Sequence, residues 1–501
     1  MTFVLLKRSF RQVTLSLGAV LMCVGSASAT PLPMPPVEVK DPYYGEVLFH
    51  ALQQDKVIAL SHLLAAIKSN RLPANKNDVW PVAADLFIDY GLLEDARQAV
   101  DLIQGKQMLE LQSQLRLKLA HAYYQRNDGK GVEESIERLP KSLPDDLEEQ
   151  RDVLRALLLM RNGQLRRAAE LLAGVKGRTE QGHYGRYNYA IALLKTGALE
   201  EGVEELNKLG RQNFASEEMR SLKDKANLAL GYLLLQAKSP MEAKPYLERI
   251  RLNGLHSGRA LLGIGWANLM LSMHEQALVP WMELLKRNPS EGAVLEAYMA
   301  VPYALSQAMA SGQALKYYDT AITTYASELK RTEAALAAVQ KSVALRNFLD
   351  EKQATEGSAT SPEVRAAIQL MANSDFFLAV SNYRDLRRVQ EAVQQRLREI
   401  SLLASSARKK TNANDQPNPG LTQRQSVSSE VKQQFSDLST RAEKLQRDNA
   451  VALKEHTAYI QREVAVKLEQ KKAHLSVYLA QARFSMAQLY DRVADRKEPA
   501  R

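Results

Sequence analysis

Eight short segments of this chain fall on one lattice. A small residue anchors each of them: Ala59, Ala96, Val132, Ala168, Gly202, Ala243, Ala277 and Ala314. The steps between anchors are 37, 36, 36, 34, 41, 34 and 37 residues. Internal similarity at a period of about 20–50 residues is the signature of a solenoid, and a period near 34 that of stacked helix–turn–helix units. Other columns repeat with the anchors. Twelve residues before them stand Val47, Ala84, Ala120, Ala156, Ala190, Gly231, Gly265 and Pro302, mostly Gly or Ala. Four after stand Leu63, Val100, Ile136, Leu172, Leu206, Leu247, Trp281 and Tyr318; seven after, Ala66, Ile103, Leu139, Val175, Leu209, Ile250, Leu284 and Ala321. Offsets of four and seven place three side chains on one helix face. Small residues let two helices approach closely, and the large ones fill the space between one pair and the next.

The segment Gly258–Glu291 carries Leu261, Ile264, Gly265, Ala277, Trp281, Leu284 and Pro289 at positions where it resembles the tetratricopeptide repeat; Trp80–Ile103, with Ala84, Gly91 and Ala96, does so nearly as well. The resemblance implies an all-α, right-handed solenoid of about eight helical hairpins over residues 43–325, and a surface for binding rather than catalysis. The repeats depart from the pattern at Pro302, at Gly202 and at Pro245 and Pro280, which fall inside second helices and tend to kink them. The 41-residue step predicts an insertion near residues 210–221 and a bend around 205–225.

The N-terminus reads as a leader. Lys7, Arg8 and Arg11 precede the apolar run Val13–Val24, and Ala27-Ser28-Ala29 resembles a cleavage site. The apolar run is short of the roughly 20 residues that span a bilayer. Residues 1–29 are therefore expected to be a signal peptide, and 30–42 a linker. Cys23, the one cysteine, would leave with the leader. This fits export to the periplasm and leaves no thiol for catalysis or metal binding. No later segment is apolar enough for a transmembrane helix. The formal charge of +10 divides unevenly: residues 30–329 carry 35 basic and 37 acidic residues, and residues 330–501 carry 29 and 20. The repeats are nearly neutral, and the basic excess lies in a tail where acids alternate with bases. That interspersion reads as solvated helix surface, with no nucleic-acid partner expected.

Past Tyr325 the period stops but helical spacing continues. Residues 326–406 predict long helices interrupted by a linker at 351–362, residues 407–427 a flexible loop, and residues 428–501 a long C-terminal helix. No proline or glycine occurs from Ser428 to Asp495. The row Val431, Leu438, Leu445, Ala452, Tyr459, Val466, Ala473, Ala480 and Ala487 recurs at seven, one row of the two a coiled coil needs. Such a helix must pack on something: the helix before it, folded back as a hairpin, or a second copy of the chain. The polar loop favours the hairpin, which is also expected to cap the last repeat.

No phosphate loop, HExxH zinc helix or GxSxG elbow occurs, and no two of the eight histidines stand three or four apart. No catalytic residue, cofactor or metal is expected. Binding residues are instead predicted on the first helices, which line the concave side of a solenoid. The position eleven before the anchor holds Tyr232, Trp266 and Tyr303 in consecutive repeats; Tyr184 and Tyr187 lie near the same groove, with Arg259, Lys195 and Lys225 as polar contacts. A ladder of exposed rings could hold a peptide or a sugar. The reading is a non-enzymatic periplasmic scaffold that binds protein partners, a peptide or a helix, of an envelope assembly or secretion machine. The alternative is an adaptor for polysaccharide export. Homo-oligomerisation through the C-terminal helices is the remaining option.

Overall fold

The computed structural model describes residues 41–53, 55–69, 71, 76–350, 361–412 and 422–495. The leader, the 30–40 stretch, residues 351–360 of the first predicted linker and 413–421 of the predicted loop lie outside these residues. Among the described residues the regular elements are all helical. They form two compact units: residues 127–338 with 466–495, and residues 41–126 with 339–465.

Eight successive helix pairs carry the lattice. In the second unit these are α1 (Pro42–Leu52) with α2 (Lys56–Lys68), α3 (Lys76–Asp89) with α4 (Leu93–Asp101), and then α5 (Leu109–Gln125). The unit boundary follows at Arg126. The first unit continues with α6 (Gly129–Glu137), α7 (Asp145–Arg161), α8 (Leu165–Ala173), α9 (Glu180–Thr196), α10 (Leu199–Arg211), α11 (Glu217–Gln236), α12 (Pro240–Glu248), α13 (Ser257–Met270), α14 (His274–Leu285), α15 (Gly292–Gln307) and α16 (Ser311–Ala338). Every anchor is the fourth residue of a second helix, and all eight are buried. The columns twelve before and four after are likewise buried throughout. In the column seven after, only Leu139 keeps partial exposure.

The turn inside the second to eighth pairs repeats as closely as the anchors do. Gly91, Asn127, Gly163, Gly197, Lys238, Ser272 and Met309 all have left-handed backbone, with φ between 59° and 96°. Each stands five residues before its anchor. At six of them the next residue's N–H reaches back to a carbonyl five residues earlier, as in Ala198 to Leu193 at 3.0 Å and Met273 to Asn268 at 2.9 Å. This Schellman closure satisfies carbonyls that the helix end would leave bare, and it turns the chain back on itself. Glycine adopts this conformation freely, whereas Lys238, Ser272 and Met309 do so against a Cβ–carbonyl clash.

Small residues set how closely each pair closes. A Cβ on Gly265 would lie inside the Trp281 indole, and one on Gly231 inside the Leu247 side chain. The indole N–H of Trp281 donates to the Leu262 carbonyl at 3.1 Å, satisfying a polar group in the core. Pro245, Pro280 and Pro302 are accommodated inside continuous helices. The long step forms no separate insert. It lengthens α10 to 13 residues and α11 to 20, against 9 in α8 and α12, which extends both helices of that step.

Glu149 ties the α8–α9 connection. Its carboxylate accepts the backbone N–H groups of Lys176 (3.0 Å), Arg178 (3.1 Å) and Thr179 (3.1 Å) and the Thr179 hydroxyl (3.0 Å). Burial pushes this carboxyl up, but the hydrogen bonds outweigh it and hold it below its ordinary value.

The tail differs from its predicted outline. In place of one long helix after the lattice, α16 ends at Ala338, and α17 (Val343–Leu349) follows a short 3₁₀ turn. The stretch predicted as a second long helix divides into α18 (Pro362–Leu370) and α19 (Ser374–Asn412), and α20 (Thr422–Asp495) is the 74-residue final helix. Both long helices run into the predicted 407–427 loop. In the second unit α19 and α20 pair antiparallel. Asn449 donates to the Leu386 carbonyl at 3.0 Å, and burial raises the Tyr459 phenol together with the charges of Glu463 and Asp375, so numbers fall along one helix as they rise along the other. In the first unit α20 instead covers α16. Tyr478 stacks on Tyr325 at 5.5 Å, Lys471 pairs with Glu328 at 3.3 Å, and Leu475, Ala482 and Leu489 join the core. In the first unit the last repeat is thus capped by the final helix. The predicted row is not the buried one; a second row, also spaced at seven, is. Leu468, Leu475, Ala482 and Leu489 are at most 3% exposed, whereas Leu438, Leu445 and Val466 of the predicted row are 47–50% exposed.

Two outcomes follow for stability. Replacing Lys238, Ser272 or Met309 by glycine removes left-handed strain at exposed positions, and each change is expected to stabilise the fold by roughly 0.5–1 kcal/mol in denaturant titrations. Glu149→Gln should cost roughly 2 kcal/mol at neutral pH. Because the folded carboxyl lies below 4.5, its contribution is present above that pH and is lost as pH falls through the folded value. The variant's stability should therefore decline less steeply below about pH 4.5 in parallel acid titrations.

Candidate partner-binding surface on the first helices

The first helices of the fifth to eighth pairs bring most of the predicted residues together. Tyr184 on α9, Lys225 on α11, Arg259 on α13 and Glu296 on α15 occupy one column, each eighteen residues before its anchor. The Lys225 ammonium sits 5.5 Å from the centre of the Tyr187 ring. The Tyr232 hydroxyl donates to the Arg259 carbonyl at 2.9 Å. The Trp266 indole donates to the Glu296 carboxylate at 2.9 Å and meets Trp281 edge-on at 5.1 Å.

The expected ladder of exposed rings is corrected by their burial. Tyr187 and Trp266 are each 1% exposed and Tyr232 is 3% exposed. The reason lies in the neighbouring column. Position eleven is one residue from position twelve, where Gly231 and Gly265 admit the second helix, and large rings beside glycines fill the gap. Tyr232, for example, lies 3.3 Å from where a Gly263 Cβ would stand. Burial holds the phenols of Tyr187 and Tyr232 well above their ordinary value, so both stay protonated. Tyr303 is half-buried against the same core. Tyr184 is half-buried and donates to Glu218 at 2.7 Å. Lys195 is exposed at the end of α9. These last three do not join the cluster.

What reaches the surface is charge. Lys225 and Arg259 are partly exposed, and with Arg251 they surround His256. Burial first, and then the three cations, push this imidazole down to about 4. Arg251 is anchored by Asp224 at 2.7 Å and Glu217 at 2.8 Å. His256 and Glu296 escaped the sequence reading. Extending the Tyr184–Lys225–Arg259 column by one repeat would have reached Glu296; nothing in the lattice marks His256, which precedes its helix.

A second concavity, of 720 Å³, lies in the second unit between α17, α19 and α20. Arg346, Tyr383, Arg387, Leu453 and Lys454 line it. Asp350 holds Tyr383 at 2.8 Å and Arg387 at 3.3 Å; burial first, then these contacts with Asp350, raise the Tyr383 phenol to about 12. Among the described residues no group of His, Cys, Asp and Glu is arranged to hold a metal, and no helix is long and apolar enough to cross a membrane.

The repeated anchors, the buried small-residue columns and the seven left-handed turns decide the architecture. The chain is a tetratricopeptide-like helical-repeat protein. No protein-family model and no curated protein matches it. Among solved structures, the apo form of RapI is similar at 11% identity, covering 74% of this chain and 98% of that one, with a TM-score of 0.37. The APC/C hetero-tetramer Cut9-Hcn1 is similar at 13% identity over 86% and 99%, with a TM-score of 0.25. Naa15/Naa10 bound to HypK-THB is similar at 11% over 91% and 92%, with a TM-score of 0.20. These values are low, and the assignment rests on the repeats themselves. Folds of this kind are suited to binding other proteins.

Neutral His256 has a consequence in titration. The folded imidazole stays unprotonated to about pH 4, while an unfolded one takes up its proton near 6.5. Its contribution is complete above about pH 6.5 and falls as pH drops toward 4. Lys225→Met should raise the His256 pKa part of the way back, since burial remains the larger cause; NMR titration of the imidazole reads this directly.

Proposed function

We propose that this protein is a non-enzymatic scaffold of the periplasm that binds protein partners of an envelope assembly or secretion machine. The binding surface is the first-helix side of the fifth to seventh pairs. The observation that carries the reading is the cation group Lys225, Arg251 and Arg259 around a neutral imidazole, drawn from adjacent repeats. It favours a peptide or helix bearing carboxylates, whose charge would pair with the partly exposed Lys225 and Arg259. The leader predicted at residues 1–29 supports the periplasmic location. The C-terminal helices offer a further surface for assembly. The exposed ring ladder was common to the peptide and polysaccharide readings, and the burial of Tyr187, Tyr232 and Trp266 removes it as a stacking platform for sugar rings.

A photo-crosslinking residue at Arg259 tests this in cells. It should capture a discrete envelope protein, while the same residue at exposed Leu199 should not. Lys225→Glu with Arg259→Glu should abolish capture by a crosslinker placed at Tyr184 without lowering the melting temperature. Equal capture at both sites, or capture that survives the reversal, would count against the surface. N-terminal sequencing of the mature protein should begin at Thr30; an uncleaved chain would overturn the proposed export.

A further inference from the structure

The final helix has two opposed faces in the first unit, and only one is used within the chain. Leu468, Leu475, Ala482 and Leu489 lie on the face that packs on α16, and are at most 3% exposed. About half a turn round the helix, Val466, Ala473, Ala480 and Ala487 recur at seven, with Val477 and Phe484 each four residues after an alanine. Val466 is 47% exposed and Phe484 58% exposed; the three alanines are exposed and Val477 is half-buried. An apolar row repeating at seven, joined four residues on by Val477 and Phe484, makes a helix-pairing seam. Over residues 466–487 it is about 33 Å long. Nothing among the described residues covers it.

We infer that this face pairs with the same face of a second copy, antiparallel, to form a two-fold symmetric dimer. Side-chain size supports the antiparallel direction. It sets Phe484 against Val466 of the second copy, Val477 against Ala473, and Gln470 against Ala480, so that each larger side chain meets a smaller one. The alanines permit helix axes about 8 Å apart. A parallel pair would oppose Phe484 to Phe484 and alanine to alanine, leaving a clash beside gaps. Charge supports it independently. Glu469 and Arg483 flank the seam on one side, both exposed and neither in an ion pair among the described residues. In the antiparallel register Glu469 of one copy faces Arg483 of the other, and symmetry makes the pair twice. In a parallel register Glu469 would face His474 and Arg483 would face Gln488, with no carboxylate for the guanidinium.

The test is a charge exchange on the full chain, read by analytical ultracentrifugation over a concentration series. The unaltered chain should show a reversible monomer–dimer equilibrium. Glu469→Arg and Arg483→Glu should each weaken it by about tenfold or more, because each puts two like-charged pairs across the seam. The double variant Glu469→Arg/Arg483→Glu should restore it, and Phe484→Asp should abolish it. All three positions are exposed, so circular dichroism and melting temperature should not change. A chain monomeric throughout the series would overturn the inference, as would a double variant no better than the single reversals. Neither result bears on partner capture at Lys225 and Arg259, which lies on other helices.

Discussion

The second to eighth helix pairs each close through a left-handed residue five positions before a small buried one, and the rest of the structure depends on that closure. The turn satisfies the carbonyls at the end of the first helix and fixes where the second begins. The anchor then falls one turn into the second helix, where only a small side chain fits against the first. Seven such turns in succession carry the repeat. Glycine or asparagine occupies the earlier four; in the last three, Lys238, Ser272 and Met309 are held left-handed by packing that overrides local preference.

Close approach has a cost in polar groups, and the core meets it locally. Bringing α13 against α14 at Gly265 buries two indoles, whose N–H groups find the Leu262 carbonyl and the Glu296 carboxylate. Burying the α8–α9 connection sets Glu149 under three backbone N–H groups. The same packing leaves the ends of long side chains at the surface, which is why the partner-facing group is made of Lys225, Arg251 and Arg259. Aromatic rings serve the interior and cations the exterior, the reverse of what ring-rich columns imply when read as a groove.

The tail answers a different constraint. A 74-residue helix cannot bury one continuous seam on a folded domain, because the face it must hide changes with its neighbour. Along α20 the covered residues run from Asn449 and Leu453, beside α19, to Leu475, Ala482 and Leu489, beside α16. The row of Val466, Ala473, Ala480 and Ala487 is left outside, and the covered row of Leu468, Leu475, Ala482 and Leu489 recurs at seven as well, so spacing alone does not say which face is hidden.

The sequence by itself determined the helical-repeat architecture, its anchors, the registers of its second helices and the extent of the lattice. These follow from local spacing: offsets of three, four and seven state which side chains share a face, and a period near 34 states that the faces stack. It also marked Tyr187, Lys225, Tyr232, Arg259 and Trp266 as residues of one region. Only the tertiary structure decided which of them are core and which are surface, because the glycines beside Tyr232 and Trp266 let a second helix close over the rings, while Lys225 and Arg259 keep partial exposure. It likewise decided which face of the final helix is spent. Burial is a property of what packs against a side chain, and that partner lies more than a hundred residues away for Leu475 and one repeat away for Trp266.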